Sequence, residues 1–444
     1  MKALHVFPFY GGDLADGAAR YQARLSEELA GLGVEIEVLT TRTRQIEAPS
    51  AFGLRWPADW PATSVAGPGP REGLPLSVER FGARWSLPVP AGRFASRQIL
   101  HRWEREARAA ASDPRGGDAG HVVERRFAQA LARSRAYDVL SLLGRGPNSP
   151  RLLRELIRRS RHADVALVGY APFALPWWAG LLRPLLGCPL VVLPLFHPND
   201  PYHHFGEIYR TFERADGVLV QTAYTRDLFA RHLPRARCFE IGVGVDVELW
   251  EDATISGARF RKQHGLGDRR VALFVGRKEE GKRWDLAVEA VERLGRDDTV
   301  LVMVGPDTDR QPIRSERVLH VGRLEASELR DAYDACDVLI HPSLHESFGF
   351  VLLEAWMRIK PVLGHRDCGP VAAVIGDGRD GYLCRDAHEF AARLGSLLDD
   401  RALARRLGEA GRKKAETRYA WPELARRVAA VYGELVAAGR RGGA

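Results

Sequence analysis

Two glutamates eight positions apart frame the most informative stretch of this 444-residue chain, Ile340-His341-Pro342-Ser343-Leu344-His345-Glu346-Ser347-Phe348-Gly349-Phe350-Val351-Leu352-Leu353-Glu354-Ala355. The apolar run Asp337-Val338-Leu339-Ile340 reads as a buried strand. Pro342 and Gly349 mark a turn, and Phe350 to Met357 reads as a helix. A helix that begins just after a strand presents unsatisfied backbone N–H groups, which suit an anion. The implied ligand bears phosphate and has a carboxylate on each side. Were Glu346 to Glu354 a single helix, the two would stand about 12 Å apart along its axis, and both would be ordinary solvated residues. That rise also excludes the acid–base pair of a glycoside hydrolase, which needs about 5–9.5 Å. Ser347-Phe348-Gly349 interrupts the helix, however. Glu354 then falls on the apolar stretch Phe350–Leu353, where an unpaired carboxylate is costly and a pair of ligand hydroxyls is a natural partner.

The elements that must hold this turn alternate apolar strands with amphipathic helices, the pattern of parallel α/β sheets. In the first half strands are predicted at Ala3–Pro8, Glu35–Thr40, Val165–Val168, Leu190–Leu195 and Gly217–Gln221. Helices are predicted at Ala18–Leu32, ending at Gly33, then at Ser96–Ser112, His121–Ser134 and Pro150–Arg161. Ser149-Pro150 supplies an N-cap and first-turn pair. Residues 45 to 95 are rich in Pro, Gly and Trp and read as irregular, part of an insertion covering about 45–135. The alternation restarts with strands at Val271–Val275, Thr299–Val304, Val318–Val321, Val338–Ile340 and Pro361–Leu363. Helices accompany them at Arg283–Leu294, Ser327–Cys336, Phe350–Arg358 and Ala387–Leu398, with more helix from about Arg401 to Ala438. Two doubly wound domains result, 1–245 and 246–415, with Gly242–Leu266 as linker and 416–444 crossing back to the first.

Net charge is +8 and unevenly spread: Arg97 to Arg161 holds 15 Arg, no Lys and 7 Asp or Glu, a local excess equal to the whole. Such a surface meets anionic lipid headgroups or an acidic glycan, or it is a set of solvated helix faces. No nucleic-acid reader motif accompanies it, so nucleic acid is not expected as a partner. Five scattered cysteines without metal spacing, and a start that reads as a strand, fit a reduced cytoplasmic compartment. The apolar segment Ala163–Phe196 contains Asp164, Arg183 and five prolines, so it is not expected to span a membrane.

Glu346-x7-Glu354 within HPSLHESFGFVLLEA resembles the signature of family four of the glycosyltransferases, retaining enzymes of the GT-B fold. FVGRKEEGKRWDLAVEA (Phe274–Ala290), LVMVGPD (Leu301–Asp307), VGRLEASELRDAYDACDVLIHPS and DCGPVAAVIGDGRDGYLC extend the resemblance over nearly all of Val271–Cys384. It implies that Glu354 holds the ribose of a nucleotide sugar and that Glu346 contacts the sugar hydroxyls. Backbone N–H groups of Phe348, Gly349, Phe350 and Val351 then cap the diphosphate. Leu324, in the base-side segment, joins the donor site. Arg277 and Lys282 neutralise the departing diphosphate, in agreement with the charge that such a departure builds. FYGGDLADGAARY resembles the family's glycine loop, with Gly17 at the point of close backbone approach. The family's Gly-Gly is Asp16-Gly17 here, with Gly11-Gly12 upstream. His197 in LPLFHPND stands where the family carries a histidine near the transferred sugar, and Asp200 is a weaker acceptor contact.

The resemblance thus implies transfer of a hexose from a UDP- or GDP-sugar to a glycan or lipid-linked acceptor, in cell-envelope polysaccharide or glycolipid synthesis. Retention of configuration, no cofactor, no metal, and a place at the inner face of a membrane complete it. A nucleotide-sugar epimerase or a non-catalytic GT-B binding protein is the alternative. Asp307-Thr308-Asp309 spells the DxD that binds metal in the other glycosyltransferase fold, but is not expected to do so here. Trp177-Trp178 is expected to pack in the core. Ala373 replaces a glutamate common in the family, outside the inferred donor site.

Overall fold

The computed structural model describes residues 1–10, 17–41, 73–83 and 119–442. It divides into two compact units, Met1–Gly242 with Trp421–Ala444, and Val243–Ala420. The first contains β1 (Lys2–Phe7), β2 (Glu35–Thr41), β3 (Leu76–Phe81), β4 (Val165–Gly169), β5 (Leu190–Leu193), β6 (Gly217–Val220) and β7 (Cys238–Glu240). They form one parallel sheet in the order β3-β2-β1-β4-β5-β6-β7. The second contains β8 (Arg270–Val275), β9 (Thr299–Val304), β10 (Val318–Gly322), β11 (Val338–His341), β12 (Val362–His365) and β13 (Gly381–Cys384). These too are parallel, ordered β10-β9-β8-β11-β12-β13.

Parallel sheets carry helices on both faces, so their central strands read as continuous apolar runs. β4, β5, β6, β11 and β12 are buried at every position, and all five are predicted from sequence. Both sheets have the winding order of dinucleotide-binding folds, which reverses between β1 and β4 and again between β8 and β11. At each reversal the loops from the carboxyl ends of two neighbouring strands turn to opposite faces and leave a crevice.

Three strands escape the sequence reading. β3 lies inside the stretch expected to be irregular; only its end residues Leu76 and Phe81 are buried, so no alternation marks it. It exists because β2 supplies its hydrogen-bonding partner, from Ile36↔Leu76 to Thr41↔Phe81. β7 and β13 are three and four residues long, too short for periodicity to register. The helix expected at Ser96–Ser112, and Gly11-Gly12, lie outside the described residues. The segment Gly242–Leu266, expected to be a linker, instead holds the short helices Val247–Trp250 and Gly257–Gln263. The amides of Ser256 and Gly257 donate to Asp331 and Asp334 at 2.7 Å each, which pins this segment to the second unit. The helix Arg401–Arg418 packs on the second unit, whereas Trp421–Gly442 packs on the helix Gly17–Gly31 of the first. There Trp421 meets Tyr21, and the Tyr432 hydroxyl lies 3.1 Å from Nε2 of buried His5.

Local signals hold where they are strong. Ser149 caps the helix Pro150–Ser160 through Leu152 N–H, with Pro150 in the first turn. The helix Arg401–Arg418 needs glycine at Gly408, where a Cβ would collide with the Ile359 carbonyl oxygen. Ile359 is itself held at φ 57°, so its backbone cannot yield cheaply. Alanine in a helix otherwise gains nearly 1 kcal/mol over glycine. Gly408→Ala is expected to lower the thermal midpoint, since overpacking at about 1–3 kcal/mol outweighs that gain. A raised midpoint would mean that the two backbones are not in contact.

Candidate active site

The reversal between β8 and β11 assembles a charged cluster. After β8 the chain runs Gly276-Arg277-Lys278-Glu279-Glu280-Gly281-Lys282, and after β11 it runs from Pro342 to Gly349. The Leu344 and His345 amides both donate to the Gly281 carbonyl, at 3.1 and 3.3 Å. A side chain at Gly281 would collide with the His345 imidazole, so glycine there lets the loops meet. Their junction places Lys282 Nζ 2.6 Å from Glu346 Oε1 and 3.3 Å from the His345 carbonyl. His341 Nε2 stands 3.2 Å from the same carboxylate oxygen. Glu346 is buried. Burial pushes its carboxyl pKa up, but Lys282 and His341 outweigh that and hold it well below the usual range. The buried group is therefore an anion with a cation beside it, able to accept hydrogen bonds from a polyhydroxyl ligand.

Beyond it Gly349, at φ 97°, starts the helix Phe350–Met357 and, as its N-cap, offers no side-chain cap. A Cβ at Gly349 would lie 3.4 Å from His341 Nε2 and 3.3 Å from Leu352, so left-handed backbone and tight quarters both require glycine. Phe348 is fully buried edge-on to Tyr419 and anchors the turn. A helix start and an ammonium group are each chemically suited to phosphate.

Glu354 sits one and a quarter turns into that helix, half-buried, and takes a 2.6 Å hydrogen bond from the Tyr333 hydroxyl. The sequence reading assigned its partner to a ligand alone; the protein supplies one. Arg277, half-exposed, pairs with Glu279 at 3.0 Å. Leu324 is partly exposed in the loop between β10 and the helix Ala326–Ala335. Gly17 and His197 belong to the first unit. Gly17 opens the helix Gly17–Gly31, and a Cβ there meets no described atom within 4 Å. His197 follows β5, its ring stacked on that of His203 at 4.8 Å.

Of the residues singled out in the sequence, the structure brings Lys282 and Glu346 into contact and sets Glu354 eight residues on beside Tyr333. His341, Tyr333 and His345 were missed. Nothing local flags a histidine at a strand end or a tyrosine on a buried helix face; their roles come from what the fold puts opposite them.

Two expectations resolve in the same terms. The Asp307-Thr308-Asp309 motif is engaged by buried Lys278, whose ammonium lies 2.9 Å from Asp307 and also pairs with Asp309. Trp284 donates to Asp309 at 2.7 Å and lies under the Lys278 ammonium. These carboxylates serve a structural ion cluster. Trp177 is buried and Trp178 donates to Asn148 at 2.9 Å, so the tryptophan pair packs as expected. In the arginine-rich region several side chains are used internally. Arg126 and Arg133 reach the carbonyls of Asn199 and His204, Arg135 pairs with Glu207, and Arg159 pairs with Glu37, Glu79 and Glu155. Among the described residues no helix is long and apolar enough to cross a membrane.

Two parallel sheets, each wound about its own reversal, and a strand-turn-helix signature at the second one define the GT-B class of fold. Residues 257–414 match the family described as glycosyl transferases group 1. The chain is similar to D-inositol 3-phosphate glycosyltransferase of Corynebacterium glutamicum, 29% identical over 44% of this chain and 51% of that protein. It is likewise 29% identical to the GDP-mannose-dependent alpha-(1-6)-phosphatidylinositol monomannoside mannosyltransferase of Mycolicibacterium smegmatis, over 48% of this chain and 61% of that one. The chain thus spans about half the length of the curated relatives it matches. HepE of Anabaena, solved with UDP and glucose, superposes with a TM-score of 0.65 at 15% identity, over 98% of this chain and 100% of that one. The fold expected from sequence is thereby found, and the family expected is the one matched over residues 257–414.

The Lys282–Glu346 pair has a pH signature. A depressed carboxyl pKa contributes stability above the unfolded value of about 4.3, lost as pH falls through the folded value. In Lys282→Met burial dominates instead, the folded pKa rises, and the carboxylate opposes folding above that unfolded value. The stability gap between wild type and variant, read from urea unfolding, is expected to widen from pH 4 to pH 7, reaching on the order of 3 kcal/mol. A gap of constant size would mean that Glu346 does not depend on Lys282 for its charge.

Proposed function

We propose that this chain transfers a hexose from a nucleoside diphosphate sugar to an acceptor hydroxyl. The observation that carries the reading is the buried Glu346 carboxylate clamped by Lys282, three residues before the glycine-started helix at Gly349. Glu346 accepts hydrogen bonds from the sugar hydroxyls. The N–H groups of Phe348 to Val351 hold the diphosphate, and Lys282 and Arg277 offset the charge that grows on it as the glycosidic bond breaks. Glu354, oriented by Tyr333, takes the ribose hydroxyls, with Leu324 near the base. In the first unit, Gly17 and His197 are the residues that the family resemblance assigns to the same reaction.

Fixed cations and N–H groups supply what a metal would otherwise supply at the leaving diphosphate, so the departure is proposed to need none. Configuration is retained if the acceptor hydroxyl attacks from the face that the diphosphate leaves, a phosphate oxygen taking its proton. No separate general base is then required. UDP- and GDP-sugars are the favoured donors: a similar fold is solved with UDP and glucose, and a relative is named for GDP-mannose. The acceptor class is a glycan or lipid-linked hydroxyl of the cell envelope, reached at the inner membrane face. Besides Arg135 and Arg158, which pair with Glu207 and Glu155, the exposed arginines of the described region are Arg125, Arg151, Arg154 and Arg161, available to an anionic surface.

A panel of UDP-, GDP- and ADP-sugars tests the donor. The true donor at 100 times its Kd is expected to stabilise the fold by about 2.7 kcal/mol. Lys282→Ala is expected to lower kcat/KM by roughly 10²–10³ with the chosen donor and acceptor; unchanged turnover would remove Lys282 from the mechanism. Tyr333→Phe is expected to weaken donor binding about 2–10-fold, the loss of one hydrogen bond that orients Glu354. Equal affinity would show that Glu354 needs no positioning. Donor consumed without any acceptor would favour an epimerase.

A further inference from the structure

The first unit holds a second group of chemistry-bearing side chains, of which the transfer reading uses only His197. After β5 the chain runs Pro194-Leu195-Phe196-His197-Pro198-Asn199-Asp200-Pro201-Tyr202-His203. The Asp200 amide donates to the His197 carbonyl at 3.0 Å, and the His203 amide donates to the Asp200 carbonyl at 3.1 Å. Two successive three-residue turns follow, the second a 3₁₀ turn at Pro201–His203. Asp200, between them, has extended backbone (φ −91°, ψ 114°), so the loop bends twice rather than continuing as one helix. The two turns bring His197, Asp200 and His203 together, with one ligand atom from each within 4.8 Å of the others. The Asp200 carboxylate is steadied by the Tyr202 N–H at 2.8 Å, and His203 Nδ1 receives a long 3.5 Å contact from the His197 N–H.

We propose that His197, Asp200 and His203 form a binding site for a divalent transition metal of the zinc class. Two imidazoles and one carboxylate make the donor set of an open site that keeps a position for an exogenous ligand. Metal–nitrogen bonds of about 2.0–2.1 Å put tetrahedral ligand atoms about 3.3 Å apart, so side-chain rotations closing up to about 1.5 Å complete it. Arg145 lies against the same loop: its guanidinium stacks 3.6 Å over the Tyr202 ring and donates to the Tyr202 carbonyl at 2.8 Å. Arg145 Nε and Nη2 are buried with no hydrogen-bond partner among the described residues. That positive charge opposes a bare dication and favours one that carries an anionic ligand such as phosphate. The site departs from the expectation of a metal-free chain. It belongs to the first unit, whereas the donor residues belong to the second, and its argument is independent of the donor assignment.

Full-length protein stripped with chelator and titrated with Co²⁺ tests the site. One equivalent is expected to bind with visible d–d absorption, Zn²⁺ to abolish the bands and inorganic phosphate to shift them. His197→Gln and Asp200→Asn are each expected to weaken binding by at least the roughly 10–100-fold that losing a second-shell partner costs. His203→Ala should do the same, its fold checked by thermal unfolding without metal. Donor binding, read as thermal stabilisation by UDP in the chelated sample, fails or succeeds separately from metal binding. Absence of saturable Co²⁺ binding tighter than about 0.1 mM, or equal binding by wild type, His197→Gln and Asp200→Asn, overturns the site.

Discussion

The Glu346 carboxylate is buried, and it keeps its charge because Lys282 stands 2.6 Å away. A buried anion without such a partner costs several kcal/mol, so the loops that carry the two residues are bound to one arrangement. Gly281 permits that arrangement by leaving room for the His345 ring, and the two amides that donate to the Gly281 carbonyl fix it. The reversal of strand order between β8 and β11 brings the loops together in the first place. Each further piece of the site hangs on this junction: the left-handed Gly349, the helix behind it, and Glu354 beside Tyr333.

Elsewhere the chain places charges against each other rather than against solvent. Lys278 collects Asp307 and Asp309 under Trp284, which turns a motif with metal-binding spelling into a structural cluster. Arginines 133, 135 and 159 close on carboxylates of their own unit. Spelling alone cannot distinguish these outcomes, since a carboxylate pair offers the same oxygens to a metal and to an ammonium group. What decides is the neighbour that the fold delivers. The loop after β5 shows the converse: His197, Asp200 and His203 carry no recognised metal-binding spelling, yet two successive turns bring them together.

Much of the fold was legible in the chain. Long apolar runs marked the central strands, Ser149-Pro150 marked a helix start, and the segments around Gly276, Gly305 and Gly349 marked the family. β3, β7 and β13 were not legible, because short or edge strands owe their existence to a neighbour's free hydrogen-bonding edge and not to any pattern of their own. The boundary expected near Gly242 does fall there, but the segment after it belongs to the second unit, because Asp331 and Asp334, some 75 residues later, hold it in place. In the site, Glu346, Lys282, Glu354 and Gly349 were named in advance, whereas His341, Tyr333 and His345 were not.

The sequence by itself determined the two-sheet architecture, the likeness of residues 257–414 to a known family and the residue types available for a phosphate-bearing, polyhydroxyl ligand. These follow from periodicity, local turn chemistry and a dense run of matching segments, all of which are short-range along the chain. Only the tertiary structure decided which charges meet. It paired Lys282 with Glu346 and Arg277 with Glu279, gave Glu354 a tyrosine, and diverted the DxD to Lys278. Pairing energies depend on distance in space and on burial, and neither is written in the spacing of residues along a chain.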